Sequence, residues 1–593
     1  MKTDKVRRGR RDLTLRGIGV AAGIGLGPAQ IIDSAGFDVP EKRLAARDVN
    51  QEQTRFAHAV AAARAELTGL ADRADKLPVA TRNELGYVLD AHLQMLSGSR
   101  LIRGVDQRIG DDRINAEAAV KAELSTIADA FAAMEDPYLS TRAQDVRDVA
   151  GRLIRHLVQA PAHAFADLAD GAVLIAKELT PADIALLDAE RVGGFATELG
   201  GPQGHTAIMA RSLGLPAVLG VPGLIGRIET GDTVIIDGGA GHVVVRPNAD
   251  TVASARQRRS RLRRAKRRLD KLRNLPAVTR DGVEIRLQVN LELPAEVAGA
   301  IEAGAEGVGL LRTEFMFMNR DTPPDAEEQY QTLVKLLAAI GDRAVTVRTL
   351  DIGGDKLAYS LDDESADNSG ANPALGLRAI RLSLRHRQLL DAQLEAILRA
   401  GAHGLVRVLL PMITTATELR RTRALMRRTA SRLTRAGVAI ADPLPPLGAM
   451  VETPAAALSA DRLVADCDFL SLGTNDLTMY TLAVDRGDDH VADLYDPMHP
   501  AVLRLIQFTR EAGARARMPV NLCGEIAGDP RFTALLLGLG LTDLSMAAAS
   551  LPAVKQRVRK LDFGLAQRLA EDAMQQTDAR RIAALIDAFN NAV

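Results

Sequence analysis

From about Glu41 to Gln159, apolar residues recur every three or four positions. Phe56, Val60, Ala63, Leu67 and Leu70 fall on one stripe among abundant Ala and Arg, which is the period of an amphipathic helix. The pattern predicts a helical bundle. Strand-like pieces flank it, Gly17 to Gly27 before and Ala172-Val173-Leu174-Ile175-Ala176 after, so the bundle is predicted to be inserted into one α/β domain that closes near Val245. Arg256 to Arg273 is dense in Arg and Lys, with Leu262, Leu269 and Leu272 spaced as a narrow apolar seam and Pro276 ending it. Beyond Pro276 the period changes. Eight strand-like runs alternate with helical stretches: Val283 to Leu291, Gly307 to Arg312, Ala344 to Ile352, Val406 to Ile413, Leu447 to Glu452, Phe469 to Thr474, Val520 to Glu525 and Leu544 to Ala547. Eight βα units over about 300 residues predict a closed parallel barrel, whose chemistry sits where the strands end.

Composition narrows the class without naming a partner. The chain has 593 residues, 47% hydrophobic and 25% charged, with 75 acids balancing 75 bases; this suits an ordinary enzyme of roughly three or four domains. Cys467 and Cys523 are the only cysteines, so no disulfide framework is expected and a reducing compartment is the default. At the N-terminus Lys5, Arg7, Arg8, Arg10 and Arg11 precede a glycine-alternating run, Gly17 to Gly27, imitating a signal peptide with an arginine pair. Alternating glycine suits a strand and turn better, Arg16 interrupts the entry, and no stretch of about 18 apolar residues follows. The expectation is a cytoplasmic protein with no membrane insertion. The basic Arg256 to Arg273 segment invites a nucleic-acid reading, yet it lacks aromatic residues and lies between two domains. A solvated connecting helix is expected there, and no nucleic-acid partner.

Two places carry candidate chemistry. Gly200-Gly201-Pro202-Gln203-Gly204-His205 sets a histidine on a glycine-rich turn running into a helix-like segment. Glycines let a backbone pass close to a ligand, helix N-terminal amides face anions, and a neutral imidazole is a nucleophile able to release what it captures. A phosphoryl carrier is one reading; a helix cap is the other. The barrel strand ends supply Arg312-Thr313-Glu314, Arg348-Thr349-Leu350-Asp351, Glu452-Thr453, Asn475-Asp476 followed by Arg486, and Cys523-Gly524-Glu525. Three arginines there would clamp a small multiply anionic ligand, and Glu452 and Asp476 offer hard oxygens suited to Mg²⁺. Singly, each has a duller reading as a structural ion pair, a turn or a small core residue. Together, beside the Cys523 thiol as a proton source, they suit phosphoenolpyruvate.

At this point the chain resembles a family. Gly200 to Gly220, Gly307 to Phe315, Arg348 to Lys356, Met450 to Ala455, Ser471 to Arg486 and Leu522 to Glu525 are similar to enzyme I of the phosphoenolpyruvate:sugar phosphotransferase system, and the similarity runs over nearly the whole chain. Glu135 to Leu139 and Arg142 to Asp148 look like that family's segment closing the bundle. The resemblance implies a multidomain α/β protein. A swivelling phosphohistidine α/β domain would comprise residues 1–40 and 160–248, with an inserted helical bundle at 41–159 that docks the phosphocarrier HPr. A linker helix at 249–276 and a (β/α)8 barrel at 277–593, binding phosphoenolpyruvate and making a homodimer, would follow. It further implies that His205 is phosphorylated at Nε2 by phosphoenolpyruvate and passes the group to a histidine of HPr, with pyruvate released. Arg312, Arg348, Asn475, Asp476 and Arg486 would hold phosphoenolpyruvate, Glu452 and Asp476 would bind Mg²⁺, and Cys523 would donate the proton. Thr180, Lys356 and Arg378 look like supporting residues, Thr180 by orienting His205.

One departure stands out: where the family has Arg or Lys and then Thr-Ser, this chain has Pro202-Gln203-Gly204, which puts the rate of transfer in question. Two alternatives remain. A pyruvate phosphate dikinase or phosphoenolpyruvate synthase relative would need a nucleotide-binding domain, for which no glycine-rich loop followed by Lys-Ser or Lys-Thr is present. A nitrogen-regulatory paralogue acting on a dedicated HPr-like protein usually carries an N-terminal sensory domain, whereas 16 residues precede Gly17 here. The sugar-linked type is therefore expected, with the linker as hinge for a swing of the histidine domain.

Overall fold

In the computed structural model, the residues described are 12–32, 40–74, 85–86, 88–89, 92–97, 99–132, 137–158, 168–180, 183–184, 186–188, 191–201, 205–317, 322–353, 373–485, 491 and 494–592. They form two compact units, 1–265 and 266–593. No helix among them is long and apolar enough to cross a membrane.

The first unit is built on an eight-stranded sheet: β1 (Leu13–Arg16), β2 (Ile18–Ala21), β3 (Ile24–Ile32), β4 (Ala172–Ala176), β5 (Val192–Thr197), β6 (Ala217–Leu219), β7 (Thr233–Asp237) and β8 (His242–Val245). Their order is β1-β8-β7-β3-β4-β5-β6-β2. Gly23, at φ +146°, makes the turn between β2 and β3, a backbone state that favours glycine. Because β3 pairs in parallel with β4, Ala29 opposite Val173, the helices Val49–Ala74, Arg100–Asp111, Ala116–Ala132 and Pro137–Leu157 interrupt a single sheet. Their shared core holds Phe56, Ala63, Leu67 and Leu70 from the predicted stripe, with Val105, Val149 and Leu153. Charge pairs brace it: Arg55 sits between Glu52 at 2.6 Å and Glu117 at 2.7 Å, and Glu66 pairs with Arg152 and, at 2.7 Å, with His156. The basic helix Ala249–Asp270 packs Ala255 against Ile24 and Ile235. Leu262, expected in its apolar seam, is instead 50% exposed: the stretch from Arg256 to Ala265 is exposed except at Arg259, so the seam has nothing to close on within the unit.

The second unit is a closed parallel barrel, as the alternating runs predict. Its strands are β9 (Arg286–Leu291), β10 (Val308–Leu311), β11 (Val345–Arg348), β12 (Val406–Leu410), β13 (Leu447–Val451), β14 (Phe469–Leu472), β15 (Val520–Leu522) and β16 (Asp543–Met546). β16 closes onto β9 with Leu544 opposite Leu287. Strands such as β13 are buried along their whole length, which is why they read as apolar runs rather than alternating ones. Local chemistry stops and starts the surrounding helices. Asp325 accepts from the Glu328 amide, Thr415 and Glu418 form a capping box, and Thr453 caps a turn opened by Pro454. Leu310, Leu409, Met450, Phe469 and Cys523 form a buried cluster of their own, drawn from five different strands or strand ends.

Candidate functional site

The polar residues gather where the barrel strands end. At the tip of β11, Arg348 is 8% exposed. Its Nη2 lies 3.1 Å from Glu314 Oε1 and its Nη1 3.0 Å from Asp351 Oδ2. Burial alone would make this guanidinium easier to deprotonate, but Glu314, Asp351 and Glu452 outweigh it and fix the charge. Arg378 reaches the other oxygen of Asp351 at 3.1 Å. The two arginines and two acids thus form a mostly buried lattice, in which Glu314 Oε2, Arg348 Nε and Arg378 Nε have no hydrogen-bond partner. Orphaned polar atoms of this kind are costly unless a ligand or water meets them. Arg312, at the end of β10, pairs with Glu292 and is more open.

Beside the lattice stand three carboxylates. One oxygen each from Asp351, Glu452 and Asp476 lie within 4.8 Å of one another. Glu452 is 1% exposed and accepts from the Met412 amide. Burial, then the neighbouring Asp351 and Asp476, push its carboxyl well above the ordinary range, against the pull of Arg348. A divalent cation would relieve that repulsion, and an all-oxygen set is the donor chemistry Mg²⁺ takes. The residues present therefore fit the ion. The sequence points to Glu452 and Asp476 for it; Asp351, whose only mark in the sequence is its position three residues past Arg348, is brought in by the fold.

Cys523 follows β15 and is 5% exposed. Burial pushes the thiol up, so it keeps its proton near neutrality, and Ser471 Oγ donates to Sγ at 3.5 Å. Gly524 allows this corner: a Cβ there would meet Thr474 Oγ1 at 1.7 Å. Asn475 exchanges two hydrogen bonds with Glu525, its Nδ2 donating to Oε1 at 2.9 Å and its Oδ1 accepting from the Glu525 amide at 3.0 Å. The second cysteine, Cys467, is elsewhere: its thiol faces the Leu463 carbonyl and is pushed up to about 12 by burial.

In the first unit His205 opens the helix His205–Leu213, whose Ala207, Met209 and Ala210 are buried. Thr206 ties that helix down by donating to the Leu179 carbonyl at 2.7 Å. Thr180, expected to orient His205, donates its hydroxyl to Asp183 Oδ2 at 2.7 Å and accepts from the Asp183 amide; it caps its own turn. The His205 imidazole, Pro202-Gln203-Gly204, Lys356 and Arg486 lie outside the described residues and side chains.

Comparison with known proteins covers both units. The family models for the PEP-utilising enzyme match in three parts: the N-terminal domain over 16–142, the mobile domain over 168–241 and the PEP-binding domain over 266–563. The chain is 42% identical over 582 residues to a phosphoenolpyruvate-protein phosphotransferase of Cupriavidus necator, covering 96% of this chain and 98% of the relative. Relatives with the same name from Bacillus sp. (strain S) and Bacillus subtilis are each 38% identical, covering 97% and 96% of this chain and 98% and 99% of their own.

Proposed function

We infer the roles of individual residues from the premise that this chain belongs to the phosphoenolpyruvate-protein phosphotransferase family. Its activity is transfer of the phosphoryl group of phosphoenolpyruvate onto protein, with pyruvate as the other product. The observation that carries the assignment is the mostly buried Arg348–Asp351–Arg378 lattice standing against the Asp351, Glu452 and Asp476 carboxylates. Phosphoenolpyruvate binds there, its carboxylate and phosphate met by Arg312, Arg348, Arg378 and Asn475, with Arg486 and Lys356 completing the set. Asp351, Glu452 and Asp476 hold Mg²⁺, which when bound offsets charge on the phosphoryl and enolate oxygens. His205 Nε2 attacks phosphorus: the P–N bond forms, the bond from phosphorus to the enol oxygen breaks, and that oxygen keeps the electron pair. Cys523 then gives its proton to C3 of the enolate, which becomes pyruvate, and the thiolate recovers a proton from solvent. Arginines fixed in place before the substrate arrives lower the barrier because they need no reorganisation as charge develops.

The phosphoryl acceptor is a histidine of the small phosphocarrier HPr, docking on the helical bundle. The protein works in the cytoplasm, a reading supported by its two unpaired cysteines, and dimerises through the barrel. The test is incubation with labelled phosphoenolpyruvate, Mg²⁺ and no nucleotide. The intact chain should take up label that is stable to base and labile to acid, and pass it to HPr, while His205→Ala takes up none. Labelling of His205→Ala, or a requirement for nucleotide, would overturn the assignment.

A further inference from the structure

One buried polar side chain behind the barrel mouth has no part in the scheme above. Gln393 lies on the outer helix Arg387–Ala400, on a face otherwise made of Leu389, Leu390, Leu394, Ala396 and Ile397, and is 2% exposed. Leucine would fill that space without the cost of burying an amide. Both ends of the amide are engaged. Gln393 Oε1 accepts from the Leu350 amide at 2.9 Å, and Nε2 donates to Thr313 Oγ1 at 3.1 Å. Thr313, 1% exposed, spends its own proton on the Arg348 carbonyl at 2.9 Å. On the other side of the same two strand ends, Glu314 Oε1 accepts from both the Asp351 amide and Arg348 Nη2. The ends of β10 and β11 are thus gripped from behind by Gln393 and from the front by Glu314, and between the two grips lie Arg348 and Asp351.

We propose that Gln393 is a positioning residue for the divalent-cation and phosphoenolpyruvate site: through Leu350 and Thr313 it fixes the backbone from which Arg348 and Asp351 reach the ligand. The proposal rests on the reading of this mouth as the phosphoenolpyruvate site. Its reach is specific. Asp351 is one residue beyond the gripped amide and supplies an oxygen to the carboxylate triad, so loosening the grip widens the triad before it disturbs the apolar core. Groups that orient ligands at one remove typically change metal affinity by about 10- to 100-fold when lost.

Gln393→Leu in the full chain tests this, with Mn²⁺ titration followed by electron paramagnetic resonance, steady-state kinetics and thermal unfolding read on the same samples. The expected result is Mn²⁺ binding weakened about tenfold or more, with the KM for phosphoenolpyruvate raised in step. Gln393→Glu, whose carboxyl is kept protonated by burial and so can still accept from Leu350 and donate to Thr313, should recover most of the loss. Mn²⁺ affinity and KM within about twofold of the parent, with only the unfolding temperature lowered, would show a filler role and overturn the proposal, as would equal impairment of the Leu and Glu variants. If Gln393→Leu does not fold, Thr313→Val removes only the hydroxyl relay and carries the same expectation. Failure of the parent to react with phosphoenolpyruvate would strike the substrate reading instead, leaving the Mn²⁺ comparison to decide the role of Gln393.

Discussion

The barrel mouth and the helix that begins at His205 solve opposite problems. The mouth holds four charged groups, Arg348, Glu314, Asp351 and Arg378, in a mostly buried lattice braced from several strands. The described side chains of the His205–Leu213 helix are mostly small or apolar, with Arg211 its one charge, and the helix is tied by a neutral bond from Thr206 to Leu179. Breaking a phosphate ester beside a carboxylate requires charges set in advance. Carrying the product requires only a nucleophile on a firm backbone. The difference assigns the demanding step to the barrel, and each half-reaction can be measured by itself.

Arg348→Ala should give the largest effect. It leaves Glu314 and Asp351 facing each other without their shared cation, costing about 3–5 kcal/mol of barrel stability and slowing labelling from phosphoenolpyruvate by about 10³-fold. Labelling of His205 from phosphorylated HPr should stay at the parent rate. Equal loss in both directions would erase the distinction between the two regions. Next, Cys523→Ala should cut pyruvate formation by about 10²-fold, seen as slowed deuterium incorporation at C3, with reverse labelling again unchanged. Third, Asp351→Asn should raise the half-saturating Mg²⁺ about tenfold; an unchanged value would remove Asp351 from the cation site.

How far the sequence reveals each region follows from the same contrast. The barrel is legible because parallel strands buried on both faces become short apolar runs, and Phe469–Leu472 or Leu447–Val451 fall inside the runs read for them. The strand-end residues are legible as a group, since closure brings all eight ends to one side. Pairwise detail is not. The link from Gln393 to Leu350 spans 43 positions and that from Asn475 to Glu525 spans 50, and such partners depend on helix placement and register that periodicity does not encode. Thr180 carries a local partner the sequence reading did not count: Asp183, three residues on, accepts from its hydroxyl. Leu262 misleads because heptad-like spacing predicts a seam whether or not a partner surface exists.

The smallest effect separates the two units by pH. In the bundle, burial pushes Glu66 up, but Arg152, His156 and Arg155 together hold it below the ordinary value of 4.5; Glu52 and Glu117 are likewise lowered, mainly by Arg55 against burial. A carboxyl whose folded value is depressed stabilises the fold above its unfolded value, and that contribution is lost as pH falls through the folded one. In the barrel, burial raises Glu296 and Asp543 above their ordinary values. Those two groups bind protons more readily folded than unfolded, so over the same range acidification favours the β9–β16 seam where they sit, whatever it costs at the lowered, exposed Asp281, Glu327 and Asp587. Hydrogen exchange followed as pH falls from about 6 to 3 should therefore show Val49–Ala74 and Pro137–Leu157 opening below about pH 4.5 while β9 and β16 remain protected. Simultaneous opening, or opening of the barrel first, would mean that the charge pairs of the bundle do not set its stability and that the contrast between the units ends at the site.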